Sequence, residues 1–470
     1  MQHKYMKLMA VFMLCLLGAA SPPLAAASPE ASGISVLQAP MAMLDDAQAA
    51  SPLQSIVDNA NPGDTIILPS GKYEGPVTIN KQLTIAGAHK DEVILTSSTD
   101  QPVVTILADN VSLQDITIKD ERMLPLTAAI EVSSSDNTLE NLIILTRGTG
   151  IQLIEASRNK LEHLLIEGLR KQSIYGTHDE HSSRKGNGID LQLSHHNLLA
   201  NNSISHMFDG IYIEESNNNT VTGNEVTSSR YGYHFMFSDD NELLRNVGMH
   251  NVTGAMIMGV KRTIVQENVF YKQTESVTAQ GLLLFDVYDS VIERNRIQGN
   301  RVGIYVEHAQ NNQLRFNDIS RNFIGLQLLD ASSNNIASNT FIANVIQAQA
   351  HKSDGNNVER NYWDDAQNID LTGSGYSSLP YQVDPFFLTL TEAIPPYQLF
   401  FGSPGMQFFE SLFAGAGKEQ LQDTKPLMKL AELTDDQEAA APSAVAGAAS
   451  AVVTAGCLLF IFFAGGRNKR

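Results

Sequence analysis

Apolar and polar residues alternate with period two in short stretches of the chain, and each stretch opens with glycine. Residues 210–215 (GIYIEE) and 303–308 (GIYVEH) are two examples. Such alternation predicts half-buried strands, because successive side chains of a strand point to opposite faces. We expect the first and third residues after each glycine to lie in the core, and the second and fourth to face solvent.

These stretches belong to a repeat. Glycines recur at intervals of 22 residues, with one interval of 27, at Gly188, Gly210, Gly232, Gly254, Gly281, Gly303 and Gly325. Asparagines keep the same intervals at Asn202, Asn224, Asn246, Asn268, Asn295, Asn317, Asn339 and Asn361. A second series lies five residues earlier, at Asn197, Asn219, Asn241, Asn312, Asn334 and Asn356, with Thr263 and Ser290 in its two gaps.

A fixed period of this length indicates a stack of identical units, none of which can bury its apolar face alone. Short strands separated by turn residues favour an all-β, right-handed parallel β-helix with 22-residue rungs, the hand following from the preference of parallel crossovers. Asparagine tolerates left-handed turns and its amides can bond along a stack. We therefore interpret the asparagine series as structural ladders.

The ends of the chain predict export and a membrane anchor. Lys4 and Lys7 precede an apolar run and then small residues, as in a secretory signal peptide. Residues 444–466 are uncharged and long enough to span a bilayer, and the basic residues that follow place the tail in the cytoplasm. The predicted organisation is signal peptide 1–27, linker 28–50, parallel β-helix 51–365 with an N-terminal helical cap, C-terminal cap or docking segment 366–428, tether 429–443, transmembrane helix 444–466 and cytoplasmic tail 467–470.

Net charge and cysteine content exclude some partners and some side-chain chemistry. The formal net charge of −19 argues against nucleic acid or anionic lipid as a partner, because both need clustered lysine and arginine. The two cysteines, Cys15 and Cys457, fall in the predicted signal peptide and membrane span. The mature ectodomain is therefore expected to use neither disulfides nor thiolates.

Apolar side chains persist where the repeat has ended. Aromatic residues crowd the segment after the β-helix at Phe386, Phe387, Phe400, Phe401, Phe408 and Phe409. Such density predicts a cap or a surface that docks a partner.

Soft metal donors come together in two neighbouring rungs. The outward positions there are His234, Met236, Met256 and Met258, which the alternation predicts to form a small exposed group. Thioether and imidazole without carboxylate suit Cu(I), while an apolar docking patch is the alternative, since methionine serves that role too. Weaker metal candidates are His206 and His250 nearby, and His178 and His181 in an insertion at 170–187.

A carbohydrate-active enzyme is a second interpretation of the same repeat. Asp190 and Glu214 lie at outward positions of adjacent rungs, so a pair of carboxylates for glycoside chemistry could form there. The neighbouring outward positions are methionine and leucine rather than sugar-stacking aromatics, which weakens this hypothesis.

Four motifs carry a resemblance to a known family. Residues 230–238 (RYGYHFMFS), 361–365 (NYWDD), 399–404 (LFFGSP) and 423–428 (DTKPLM) resemble the NosD family of exported β-helix proteins. The resemblance implies a non-catalytic accessory protein for assembly of the copper-sulfide site of nitrous oxide reductase. It also implies, as partners, an ABC transporter made of an ATPase and a permease, the reductase itself and a copper chaperone, with copper as the metal handled.

Overall fold

A computed structural model describes residues 51–122, 127–169, 186–273, 276, 279–383 and 421–430, and the backbone of 36–38. The chain coils through three parallel sheets, A, B and C, in that order, and each strand pairs with its equivalents one turn before and one turn after. The 12 strands of sheet C mark about twelve turns.

The strands are short and regularly placed. Sheet A contains β1 (Val36–Gln38), β3 (Thr65–Leu68), β6 (Thr84–Gly87), β9 (Ser112–Gln114), β12 (Thr138–Glu140), β15 (Lys160–Glu162), β18 (Leu198–Ala200), β21 (Thr220–Thr222), β24 (Glu242–Leu244), β27 (Ile264–Gln266), β30 (Val291–Glu293), β33 (Gln313–Arg315), β36 (Asn335–Ala337) and β39 (Asn357–Glu359). Sheet B contains β2 (Ser51–Pro52), β4 (Gly71–Gly75), β7 (Val93–Ser97), β10 (Thr117–Asp120), β13 (Ile143–Thr146), β16 (Leu165–Gly168), β19 (Ser203–Ser205), β22 (Glu225–Thr227), β25 (Val247–Met249), β28 (Val269–Tyr271), β31 (Arg296–Gln298), β34 (Asp318–Ser320), β37 (Thr340–Ile342) and β40 (Tyr362–Trp363). Sheet C contains β5 (Val77–Ile79), β8 (Val104–Ile106), β11 (Ala128–Val132), β14 (Thr149–Ile154), β17 (Ile189–Gln192), β20 (Asp209–Glu214), β23 (Tyr231–Met236), β26 (Thr253–Lys261), β29 (Gln280–Tyr288), β32 (Val302–Glu307), β35 (Ile324–Leu329) and β38 (Ile346–His351). A short antiparallel pair, β41 (Tyr381–Gln382) and β42 (Gln422–Asp423), completes the set.

The core fills the inside of the coil with the side chains that the alternation predicts. Tyr233 and Phe235, the first and third residues after Gly232, are fully buried, and so are Ile211 and Ile213 one turn earlier. The glycine at the second position of each of these strands faces the backbone of the next turn. A Cβ at Gly232 would lie 2.4 Å from the carbonyl oxygen of Gly254, so no larger residue fits there without displacement.

Buried amides run along the corners between sheets. At the corner from sheet A to sheet B, the Asn202 backbone N–H and Nδ2 both donate to Oδ1 of Asn224, each at 2.9 Å, and the bonds recur turn by turn. The series beginning at Asn197 does the same at the corner from C to A, where the Thr263 N–H donates to Oγ of Ser290 across a gap in that series.

A third ladder lies at the corner from sheet B to sheet C. The Asn251 N–H donates to Oε1 of Gln273 at 2.7 Å, and Gln273 donates in the same way to Asn300 at 2.9 Å. Asn322 and Asn344 continue the series. Each ladder satisfies backbone groups that the turns would otherwise leave unpaired inside the protein.

Both ends of the described coil are covered. Helix α1 (Leu53–Asn59) buries Leu53 and Val57 against the first turns. At the other end, Asp423 takes the position of a further asparagine: its Oδ2 accepts from the Asn361 N–H at 2.8 Å and from Nε1 of Trp363 at 3.0 Å. Trp363 is stacked between Phe341 and Tyr381. Strand β1, within the segment predicted to be a linker, pairs with β3 in sheet A.

Candidate functional site

Two columns of outward side chains run along sheet C in exact strand register. The first column contains Asp190, Tyr212, His234, Met256, Leu283 and Tyr305. The second column contains Gln192, Glu214, Met236, Met258, Phe285 and Glu307. His234 thus lies beside Met256, and Met236 beside Met258, at the spacing of about 4.8 Å between neighbouring strands.

The expectation that His234 is exposed is wrong. Its side chain has the outward register, but the residue is only 6% exposed. The rings of Tyr212 and Tyr231 contact it edge-on, with centroids 5.0 and 4.9 Å away. Strand alternation gives the direction of a side chain, whereas the neighbouring tyrosines decide whether solvent reaches it.

A hydrogen bond to a buried carboxylate holds the imidazole. Nδ1 of His234 lies 2.9 Å from Oδ2 of Asp209, and Arg230 donates to both oxygens of that carboxylate at 2.8 and 2.7 Å. Burial alone would raise the pKa of Asp209, but the hydrogen bonds from His234 and Arg230 outweigh it and hold that pKa below its ordinary value. Sequence reasoning missed Asp209 and Arg230, although opposite charges 21 residues apart are neighbours in a repeat of 22.

The other ring nitrogen of His234 has no such partner. Nε2 is buried and finds no hydrogen-bond acceptor or donor among the described residues. Because the ionised Asp209 accepts from Nδ1, a neutral imidazole carries its lone pair on Nε2. The hydroxyl of Tyr212 contacts Sδ of Met236 at 3.8 Å. His234 and the three methionines thus occupy neighbouring outward positions of this face.

Asp190 begins the same column on the turn before Tyr212. Burial raises the pKa of Asp190 to about 6, although Nδ2 of Asn187 donates to it at 2.9 Å. Burial also raises the pKa of Tyr212 well above its ordinary value, and the nearby Glu214 adds to that shift. Asp190 and Tyr212, at the polar end of the first column, therefore both favour their protonated forms.

We predict that Asp190→Asn stabilises the fold at neutral pH. Because the carboxyl has a higher pKa in the folded than in the unfolded protein, ionisation destabilises the folded state. The variant should gain about 3 kcal/mol in unfolding free energy above pH 6, and the gain should vanish as the pH falls through 6 to 4. Urea denaturation across this range measures it. A gain that stays constant with pH would contradict the shifted pKa.

The remaining site candidates do not join this group. His206 and His250 occupy the same corner two turns apart, following β19 and β25, so about 9.6 Å separates their backbones. No three His, Cys, Asp or Glu side chains converge as a metal site within the described part of the chain. His178 and His181 lie outside the described residues, as do Phe386, Phe387, Phe400, Phe401, Phe408 and Phe409.

The chain matches first a class of fold and then, over part of its length, a family. A model of the right-handed β-helix region matches residues 81–246, so the predicted right-handed parallel β-helix is confirmed. The model of the NosD family, described as a periplasmic copper-binding protein, matches residues 170–378. Over this part of the chain the sequence is similar to the NosD family, as its motifs predict. No curated protein sequence matches it.

Solved structures with a similar fold include carbohydrate-active proteins. The A-module of the mannuronan C-5 epimerase AlgE6 from Azotobacter vinelandii is 15% identical, with a TM-score of 0.45, over 66% of this chain and 87% of that chain. A PL6 alginate lyase in complex with a trisaccharide is 14% identical, with a TM-score of 0.48, over 66% and 81%. The catalytic domain of a GH87 α-1,3-glucanase is 11% identical, with a TM-score of 0.42, over 73% and 68%.

None of the helices in the described ranges is both long and apolar enough to cross a bilayer. The predicted span at 444–466, like the predicted signal peptide, falls outside those ranges.

Proposed function

We propose that this protein is a non-catalytic, extracytoplasmic accessory protein that handles Cu(I) during assembly of the copper-sulfide site of nitrous oxide reductase. In this proposal the protein is anchored by a C-terminal span. It works with an ABC transporter made of a permease and an ATPase, and with a copper chaperone. The match to a family described as copper-binding supports the metal.

The observation that carries the proposal is the position of His234. Its Nε2 is buried without a partner among the described residues, and its strand register places it beside methionine. A buried imidazole nitrogen that no described residue satisfies is costly unless a ligand occupies it. Met256 is in register with His234, and Met236 and Met258 occupy the neighbouring column. Soft sulfur with imidazole is the donor set that Cu(I) prefers, so the residues present fit this cargo.

Asp209 orients the imidazole of His234 within the site. By accepting from Nδ1, it keeps the His234 ring oriented and leaves the lone pair on Nε2, as carboxylates do behind metal-binding histidines. Arg230 in turn fixes the carboxylate through two hydrogen bonds.

We expect Met236→Leu/Met256→Leu/Met258→Leu to lose Cu(I) affinity by roughly a hundredfold or more, because leucine preserves volume and apolarity but supplies no thioether. Asp209→Asn should lose about 10- to 100-fold. Competition with a Cu(I) chelator under reducing conditions measures both, and reductase activity in cells reports whether maturation follows.

Met249→Leu is the matched control, because Met249 lies on sheet B, at the second outward position of β25. It should bind Cu(I) like the wild type. Wild-type protein with no measurable Cu(I) binding would end the copper proposal. A triple variant that fails to bind Cu(I) yet fully supports reductase maturation would separate copper binding from the accessory role.

The raised pKa of Asp190 beside Tyr212 and Glu214 favours one alternative, a polysaccharide lyase or hydrolase. A carboxyl that is half protonated near pH 6 could donate or accept a proton at a glycosidic bond. If this is the function, turnover of a polysaccharide should disappear in Asp190→Asn and in Glu214→Gln while the Met→Leu triple variant stays active. Absence of turnover by the wild type across a panel of uronate and neutral polysaccharides would remove this candidate.

A further inference from the structure

An apolar surface continues along sheet C beyond the candidate copper ligands. Met256 is in register with Leu283, and Met258 with Phe285. All four side chains point outward and are partly exposed, whereas Ile257 and Leu284 between them fill the core. The two outward columns thus carry only apolar side chains on two successive turns.

Phe237 extends this surface around the corner from sheet C to sheet A. It is 41% exposed, and its ring lies against Gly259 of the next turn, where a Cβ would be 2.7 Å from ring carbon Cδ1. Gly259 has a φ of +63°, so a side chain there would be strained as well as blocked. We call Phe237, Met256, Met258, Leu283 and Phe285 the apolar face.

The core does not need these side chains. The same outward positions hold Asp190 and Gln192 two turns before His234, and Gln327 and Gln349 further along. The coil therefore accepts polar groups at these positions. Contiguous outward apolar residues on otherwise polar columns are typical of an interaction surface.

Carboxylates border the apolar face on three sides. Along the second column, Glu214 precedes Met236 and Glu307 follows Phe285. At the corner, Glu215 lies one turn before Phe237, and Asp286 directly follows Phe285. Asp239 and Asp240 lie just beyond Phe237, where Arg262 is already ion-paired to Asp240.

We propose that the apolar face docks a protein whose contact surface has an apolar centre ringed by lysine and arginine. Charge complementarity argues for this occupant, since the acidic border would repel a second copy of the chain and anionic lipid. So small a patch fits a transient complex with a salt-sensitive association rate. The proposal does not depend on copper, because Phe237, Leu283 and Phe285 are not metal ligands.

The test is photo-crosslinking from p-benzoylphenylalanine placed at Phe285 in the full chain, in membranes of its own cells. We expect crosslinks to a single protein, at an apolar site flanked by lysine or arginine, with a yield that falls as salt rises. Asp286→Lys/Glu307→Lys should reduce the yield several-fold. The fold should tolerate lysine at 286, since Lys352 has the same positive φ at the equivalent corner. The same probe at Ile264, outward on sheet A, is the matched control and should capture little.

Three results would overturn the proposal: crosslinks scattered over many proteins, crosslinks mainly to lipid or to a second copy, or a yield that charge reversal leaves unchanged. The Met→Leu triple variant distinguishes docking from copper binding. It should lose Cu(I) and keep the crosslink, because leucine preserves an apolar contact.

Discussion

Asp423→Ala is expected to unfold the C-terminal end of the β-helix well before the rest. The carboxylate accepts from the Asn361 N–H, Asn361 Nδ2 and Trp363 Nε1, all buried, and from the Arg360 and Lys425 N–H groups. Removing it leaves several buried donors unpaired, at a cost of about 3 to 5 kcal/mol. Urea denaturation followed by fluorescence of Trp363, the one tryptophan in the chain, measures the loss locally.

Asp354→Ala is the control for this prediction. Asp354 is exposed on the last turns, so its removal changes the net charge equally without touching a buried donor. It should shift the midpoint very little. If the two variants unfold alike, Asp423 does not close the ladder in the way its hydrogen bonds indicate.

Asn339→Ala is expected to cost about 4 kcal/mol, because its side chain serves both neighbouring turns. Oδ1 accepts from the N–H and Nδ2 of Asn317, while Nδ2 donates to the Leu314 carbonyl and to Asn361. Hydrogen exchange of the Asn317 amide and Trp363 fluorescence during denaturation should both report the loss.

Asn335→Ala removes an asparagine from the same turn and gives the comparison. Asn335 faces outward, and its side chain accepts one exposed hydrogen bond from Asn357. A change below about 0.5 kcal/mol is expected there. Equal losses at 335 and 339 would contradict the role assigned to the ladder.

The repeat made the coil predictable because every turn restates the same constraints. Glycines such as Gly232 mark where two backbones approach, and the alternation after them gives the core side chains correctly. The asparagine pattern does not predict the ladder from sheet B to sheet C, because Ser229 and Gln273 interrupt its asparagines. Glutamine can replace asparagine there, since its amide still reaches the backbone of the next turn.

The candidate site was predictable only in part. Register places His234 beside Met256, as the spacing implies. The burial of His234 depends on two tyrosine rings from different positions of the repeat, and its orientation depends on Asp209, which precedes a glycine on the previous turn. These are lateral contacts among individual side chains, and a column-by-column analysis of a repeat does not contain them.

From Gly150 to Asn361, departures from the 22-residue interval occur at one corner of the coil. The additional residues between Gly150 and Gly188, and those between Gly254 and Gly281, both follow a strand of sheet B and precede a strand of sheet C. The two chain segments at the other corners keep their lengths through these turns. In this part of the coil, new sequence is therefore admitted along a single line, beside the face that carries His234 and the methionines. Variation in loop length can change what surrounds that face while the stacking of the turns stays intact, so recognition and stability are free to evolve separately.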